Sequence, residues 1–194
     1  MKPIFNEIWT LAEPYLRTRD NQIHTEITQA FAYKLLEKEG GDEAIVIPAI
    51  ILHDVGWMRV PEHLHLKAFG PKAMSRELNR VHEFEGARLA KQILETVGYD
   101  GSAVTEIVNI IEGHDSRKEG LSLNDKIVKD ADKLWRSSKE GFHIDARRFE
   151  LTPKECLDRL RSHLDTWYLT DAAKEMARQE LLARGRDTAA SHGH

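Results

Sequence analysis

The stretch Ala44-Ile45-Val46-Ile47-Pro48-Ala49-Ile50-Ile51-Leu52-His53-Asp54-Val55-Gly56-Trp57 decides the fold. It is almost wholly apolar until His53 and Asp54. A helix apolar on all sides is buried in a protein core, and this one is too short to span a membrane. An ionised Asp at the end of such a segment costs several kcal/mol, roughly, unless another charge compensates it. A metal cation held by adjacent His and Asp is one compensation.

Working outward, apolar residues at 4, 5, 8, 11, 12, 15 and 16 predict a helix over Ile4–Leu16. A second helix is expected from about Gln22 to Glu39, stopped by Gly40-Gly41. His24 shares its inward face with Ile27 and Phe31. Asp42 caps the buried helix, which is expected to end at Gly56, with a kink or a late start at Pro48. Residues 58–70 read as a loop. A helix is expected from near Pro71 to Thr96, with His82, Leu89 and Ile93 on one stripe. Ser102–His114 reads as a helix that carries His114 at the end of its apolar face. Ser122 or Asn124 starts another, bearing Ile127, Val128, Ala131, Leu134 and Trp135, with Asp130 and Asp132 beside them. Helices over Pro153–Tyr168 and Asp171–Arg184 complete the chain. Few windows alternate like strands.

The expected architecture is therefore an all-α helical bundle with a metal site between buried helix ends. One domain is expected over 1–187, with its core at about 22–137, C-terminal helices within 153–186 and a disordered tail at 188–194. The 194 residues are 41% hydrophobic, enough for one sizeable core. A net charge of −4 with 31% charged residues gives a mixed surface, which argues against a nucleic-acid polymer as partner. The single cysteine, Cys156, excludes an internal disulfide. No apolar run reaches membrane-spanning length, and Met1-Lys2-Pro3-Ile4-Phe5 lacks the apolar core of a signal peptide. A cytoplasmic protein with no membrane partner is expected. Its oligomeric state is not encoded in any motif.

Ten histidines is a high count for this length. His24, His53-Asp54, His82, His114 and an Asp at 130 or 132 each fall on an apolar helical face. Helical proteins build metal sites by bringing such groups together inside a bundle. Imidazole plus carboxylate suits Mn, Fe, Co, Ni or Zn better than Mg. His24, His53, Asp54 and Asp132 are enough for one ion. His82 and His114 would serve a second, with a carboxylate bridging. Spacing alone does not choose between Asp130 and Asp132. His63, His65, His143 and His163 are expected at the surface or behind the site, and so are Asp115 and Asp130. Trp57 is expected to pack rather than to stack on a base.

The ordered set over about Ile23 to Trp135 resembles the HD superfamily of metal-dependent phosphohydrolases. The resemblance rests on His24, on Leu-His-Asp-Val-Gly at 52–56, and on Lys129-Asp130-Ala131-Asp132-Lys133-Leu134. It selects Asp132, directly before Lys-Leu, as the ligand. It places His53 and Asp54 at the catalytic centre and gives His82 and His114 the places of the extra histidines of two-metal members. It implies one or two divalent transition metal ions and a hydrolase of phosphate esters, acting on a small phosphorylated metabolite or nucleotide. Arg19, Lys133 and Arg136 are the candidates to meet the phosphate.

Two departures narrow the subclass. The positions after the pair, where some nucleotidase-like members carry an acid, hold Val55, Gly56, Trp57 and Met58. The glycine-tyrosine-proline motif of the cyclic-dinucleotide branch is absent. The same ligand set also resembles HD-type di-iron oxygenases, and a non-catalytic nucleotide-binding regulatory module is a further alternative.

Overall fold

The computed structural model describes residues 2–71 and 75–190. Among them every regular element is helical: α1 (Pro3–Ala12), α2 (Asn21–Glu39), α3 (Glu43–Leu52), α4 (His65–Ala68), α5 (Arg76–Thr96), α6 (Gly101–Ile111), α7 (Leu123–Leu134), α8 (Lys139–Arg148), α9 (Pro153–Ser162), α10 (Leu164–Trp167) and α11 (Asp171–Ala190). The all-α expectation holds.

At the centre lies α3, with every residue from Ile45 to Leu52 buried. It packs against α1, α2, α5, α6 and α7. Asp42 caps its start by accepting from the Ala44 N–H at 2.8 Å. Pro48 sits inside the helix without ending it. A proline there cannot donate to the carbonyl four residues earlier. That carbonyl belongs to Ala44, and the Tyr99 hydroxyl donates to it at 2.7 Å. A distant side chain thus satisfies the acceptor that Pro48 leaves open.

Several expected boundaries move. The first helix ends at Ala12 and continues as a 3-10 turn over Glu13–Tyr15, where Pro14 follows. The buried helix ends at Leu52, not Gly56, and the chain tightens into a 3-10 turn over Val55–Arg59. The expected loop at 58–70 contains a 3-10 turn at Glu62–Leu64 and then α4. The helix expected from Pro71 begins at Arg76, capped by Ser75; residues 72–74 lie outside the described residues. The sixth helix ends at Ile111, which leaves His114 in the turn beyond it. The span 153–168 divides at His163 into α9 and α10. The last helix runs to Ala190, so residues 188–190 of the expected tail are helical, and 191–194 lie outside the described residues.

Besides α4, the helix α8 was not expected. Ser138 caps α8 by accepting from Gly141 N–H at 3.0 Å. With α9 and α11 it builds a second small core from Phe142, Ala146, Cys156, Leu157, Leu160 and Leu181.

The turn after α3 crosses α5 at very close range. A Cβ on Gly56 would collide with the His82 carbonyl oxygen and the Gly86 backbone. One on Gly86 would meet the His53 carbonyl oxygen at 3.3 Å. This crossing brings His53-Asp54 alongside His82. Gly56→Ala should therefore cost more than about 3 kcal/mol in chemical denaturation, as overpacking against rigid backbone does. Gly86→Ala should cost no more than about 1 kcal/mol, because its neighbour is looser and alanine favours the helix. Equal costs would contradict this account of the crossing.

Candidate metal centre

The structure brings together all six of the residues singled out by sequence, each from a different buried position. His24 lies on α2, His53 and Asp54 follow α3, His82 lies on α5, His114 follows α6, and Asp132 lies on α7. All six are at least nine-tenths buried. They form two imidazole pairs. The Nε2 atoms of His24 and His53 are 2.8 Å apart, and those of His82 and His114 are 3.2 Å apart. Two imidazoles bound to one ion at about 2.1 Å, near right angles, place their nitrogens about 3 Å apart.

Asp54 lies between the pairs. Its Oδ2 is 3.5 Å from His24 Nε2 and 3.8 Å from His53 Nε2. Its Oδ1 is 3.6 Å from His114 Nε2 and 3.9 Å from His82 Nε2. Asp132 Oδ1 completes the first group, 3.3 Å from His24 and 3.6 Å from His53. Asp115, which sequence assigned a lesser place, adds an oxygen 3.7 Å from His82 to the second. The clusters His24–His53–Asp132, His53–Asp54–His114 and His82–His114–Asp115 each gather donor atoms closely enough to hold a metal ion.

The donors are held in position from behind. Nδ1 of His53 donates to the Ile50 carbonyl at 2.7 Å, and Nδ1 of His114 to that of Ile111 at 2.8 Å. Each bond turns Nε2 toward the site. His82 stacks on Trp57 at 4.0 Å, and His24 meets Trp135 edge-on at 4.7 Å. The Trp57 indole donates to Asp54 Oδ1 at 3.0 Å, so it packs, as expected, and also fixes the carboxylate.

Other residues of the site escaped the sequence reading. Buried Glu83 accepts from the backbone N–H groups of Asp115 and Ser116 at 2.9 and 2.8 Å, fixing the turn beyond His114. Buried Lys129 donates to the carbonyls of Gly113, His114 and Arg117 around the same turn. Arg148, with Arg136, enters the cavity over the cluster. His65 is buried, its Nε2 2.8 Å from the Val60 carbonyl oxygen, while His63 and His143 are exposed. Asp130 points away from the cluster and accepts from the N–H groups of Leu169 and Thr170 at 2.7 and 2.8 Å, tying α11 to α7.

Electrostatics set ionised carboxylates against imidazoles that favour a proton inside the six-residue cluster. Burial alone would raise the Asp54 pKa, yet His53, His114, His24 and Arg19 hold it well below the usual carboxylate range. Asp132 is likewise held down, against burial, by His24 and His53. Burial lowers His24, and burial with the neighbouring His114 lowers His82 to about 4. Burial opposes a charge on His114 as well, but Asp54, Asp115 and Glu83 outweigh it and raise the group to about 9. Asp54 and Asp132 raise His53 in the same way.

An HD domain family model matches residues 22–136, more than half of the chain. The chain belongs to the HD domain family. The matched span contains all six clustered residues. Among solved structures, it is similar to a predicted HD superfamily hydrolase from an uncultured Thermotogales bacterium. That likeness is 23% identical with a TM-score of 0.64, covering 97% of this chain and 92% of that one. No curated protein matches. Membership of this HD family supports a metal-dependent hydrolase in general, and the buried His/Asp donor set fits a divalent ion. Among the described residues, no single helix is long and apolar enough to cross a membrane.

The His114 value gives metal uptake a definite pH dependence. Below about pH 9 His114 carries a proton that an ion must displace, whereas His82 is already neutral at pH 7. In chelator-stripped protein, affinity at the His82/His114 pair should rise about tenfold per pH unit from 7 to 9 and level off above. Competition titrations with a chromogenic chelator measure this. Affinity that stays flat over that range would argue against His114 as a ligand.

Proposed function

We propose that this HD domain hydrolyses phosphate esters of small metabolites or nucleotides, with one or two divalent transition metal ions, Mn, Fe, Co, Ni or Zn rather than Mg. The reading rests on one observation: a half-buried arginine, two of whose guanidinium nitrogens are buried and unpartnered, lies over the imidazole–carboxylate cluster. Arg19 lines the cavity with Asp54 and Asp132, and its Nε and Nη1 have no hydrogen-bond partner. Its guanidinium lies 3.9 Å from the centroid of the Trp57 ring and 4.0 Å from that of Phe69. Burial lowers its pKa to about 10, which leaves it charged at neutral pH.

The backbone supports this placement. Arg19 and Asp20 both have φ of +60°, an uncommon conformation for residues other than glycine. The Arg19 carbonyl accepts from Arg148 Nη2 at 2.6 Å, which pins the turn. Arg136 and Arg148 line the same cavity, and both pair with Asp145, at 2.5 and 3.3 Å. Those two cations are partly neutralised and held rigid. Arg19 keeps free donors for an incoming oxyanion.

In this reading His24, His53, Asp54 and Asp132 would hold the first ion, and His82, His114 and Asp115 would hold a second, where one is bound; Asp54 lies between the two imidazole pairs. Bound there, such ions supply an acidified water and positive charge against phosphoryl oxygens. The protein supplies the rest. Arg19 and Arg136 orient the phosphoryl group by charge-assisted hydrogen bonds. Trp57, Phe69 and Trp135 wall the cavity and limit bulk water. Trp57 fixes the rotation of the Asp54 carboxylate. Lys133 lines the cleft next door rather than the cavity itself.

The test is phosphate release from p-nitrophenyl phosphate by metal-loaded protein under anaerobic and aerobic conditions. Turnover independent of oxygen is expected. Arg19→Gln should raise KM about tenfold or more, since a charge-assisted hydrogen bond is worth about 1.5–3 kcal/mol, and should leave metal content intact. The reading fails if no metal-loaded form releases phosphate, or if substrate turnover consumes oxygen.

A further inference from the structure

The cavity over the cluster does not end the cleft. Phe69, Asp115, Asp132 and Arg136 line both it and a second, wider cleft of about 290 Å³. Beyond the shared residues, the second cleft is lined by Lys133, Arg159 and Trp167, among others. Lys133 lies within the HD-family span, near its end, whereas Arg159 and Trp167 come from α9 and α10, outside it.

The two outer cations are poorly neutralised. Among the described residues neither Lys133 nor Arg159 pairs with a carboxylate. The Lys133 ammonium reaches only the Lys129 carbonyl, at 3.4 Å. Arg159 rests on aromatic rings instead, 5.5 Å from the centroid of Phe149 and 5.6 Å from that of Trp167. Trp167 is itself stacked on His163 at 4.3 Å. Burial, and after it the nearby charge of Arg136, lower the Arg159 pKa, while Asp145 acts in the opposite direction. The carboxylates that line this cleft, Asp115 and Asp132, both belong to the metal-facing side.

Like cations held together on a preformed wall raise the local concentration of anions and favour one that bridges them. The cleft shares four lining residues with the cavity where the phosphoryl group would sit. We infer that Lys133 and Arg159 form a second anion subsite, and that the substrate carries a second anionic group, phosphate or carboxylate, at the end remote from the scissile ester. This rests on the phosphate-ester reading for the identity of the first group. It assigns specificity to helices that the HD family span does not include.

The subsite is tested by binding rather than turnover. Metal-loaded full-length protein is titrated calorimetrically with phenylphosphonate and with alkane-α,ω-bisphosphonates of increasing length. At least one bisphosphonate should bind ten times or more tighter than phenylphosphonate. Arg159→Gln and Lys133→Gln should each remove most of that gain while shifting phenylphosphonate affinity less than threefold. The gain should also shrink as salt is raised. The inference is overturned if no bisphosphonate binds tighter, if both variants keep the gain, or if both weaken the two probes equally. A bisphosphonate gain lost in the variants, without release of phosphate from p-nitrophenyl phosphate, would sink the catalytic reading and leave the subsite standing. A panel of phosphorylated carboxylates and bisphosphates, assayed for phosphate release, then distinguishes the two kinds of remote group.

Discussion

An ionised carboxylate at the end of a wholly buried helix is the constraint on which this structure depends. Asp54 is at least nine-tenths buried and held well below the usual carboxylate range. Such a charge is tolerated only where its surroundings return what desolvation takes away. Here the return comes from three imidazoles and a guanidinium: the end of α3 brings His53, the turn after α6 brings His114, α2 brings His24, and Arg19 adds its charge. The close crossing of Gly56 over α5 makes this convergence possible. Asp54 directs one oxygen to each imidazole pair, which makes it the residue that joins the two halves of the centre.

Charge then organises the next layer. Arg136 and Arg148 share Asp145, and Arg148 also holds the Arg19 carbonyl. Arg19 is left with free donors between two aromatic rings. The family span 22–136 contains Arg19's neighbours on α2 and all the metal-facing donors, but Arg148, Asp145 and Arg159 lie beyond it. The C-terminal helices therefore do more than cover the bundle. Arg148 helps to wall the cavity, and Arg159 and Trp167 help to line the neighbouring cleft.

Much of the fold and of the candidate site was legible in the sequence, because periodicity reports which face a residue occupies. His24, His82 and His114 were placed inward by their spacing from Ile27, Leu89 and Ile111, and the structure buries all three. Spacing could not separate Asp130 from Asp132, since both flank Ala131. Only the arrival of α11 shows that Asp130 is engaged by Leu169 and Thr170. The helix α8 was missed because its apolar residues, Phe142, Ile144 and Ala146, are few and set among charges. Its capping residue, Ser138, was the available signal. Glu83, Lys129 and Arg148 were missed for a deeper reason. Each is a charged residue that reads as solvated, and each is drawn inward, Glu83 and Lys129 fully and Arg148 partly, because distant backbone or side-chain partners meet it.

The central claim is that Asp54 serves both halves of one centre, whereas His82 serves one. Metal content per chain, measured on chelator-free wild type, Asp54→Ala and His82→Ala, tests it most directly. The account predicts about two ions, about none and about one, respectively, with all three proteins folded. An Asp54→Ala protein that keeps the wild-type metal content would contradict it.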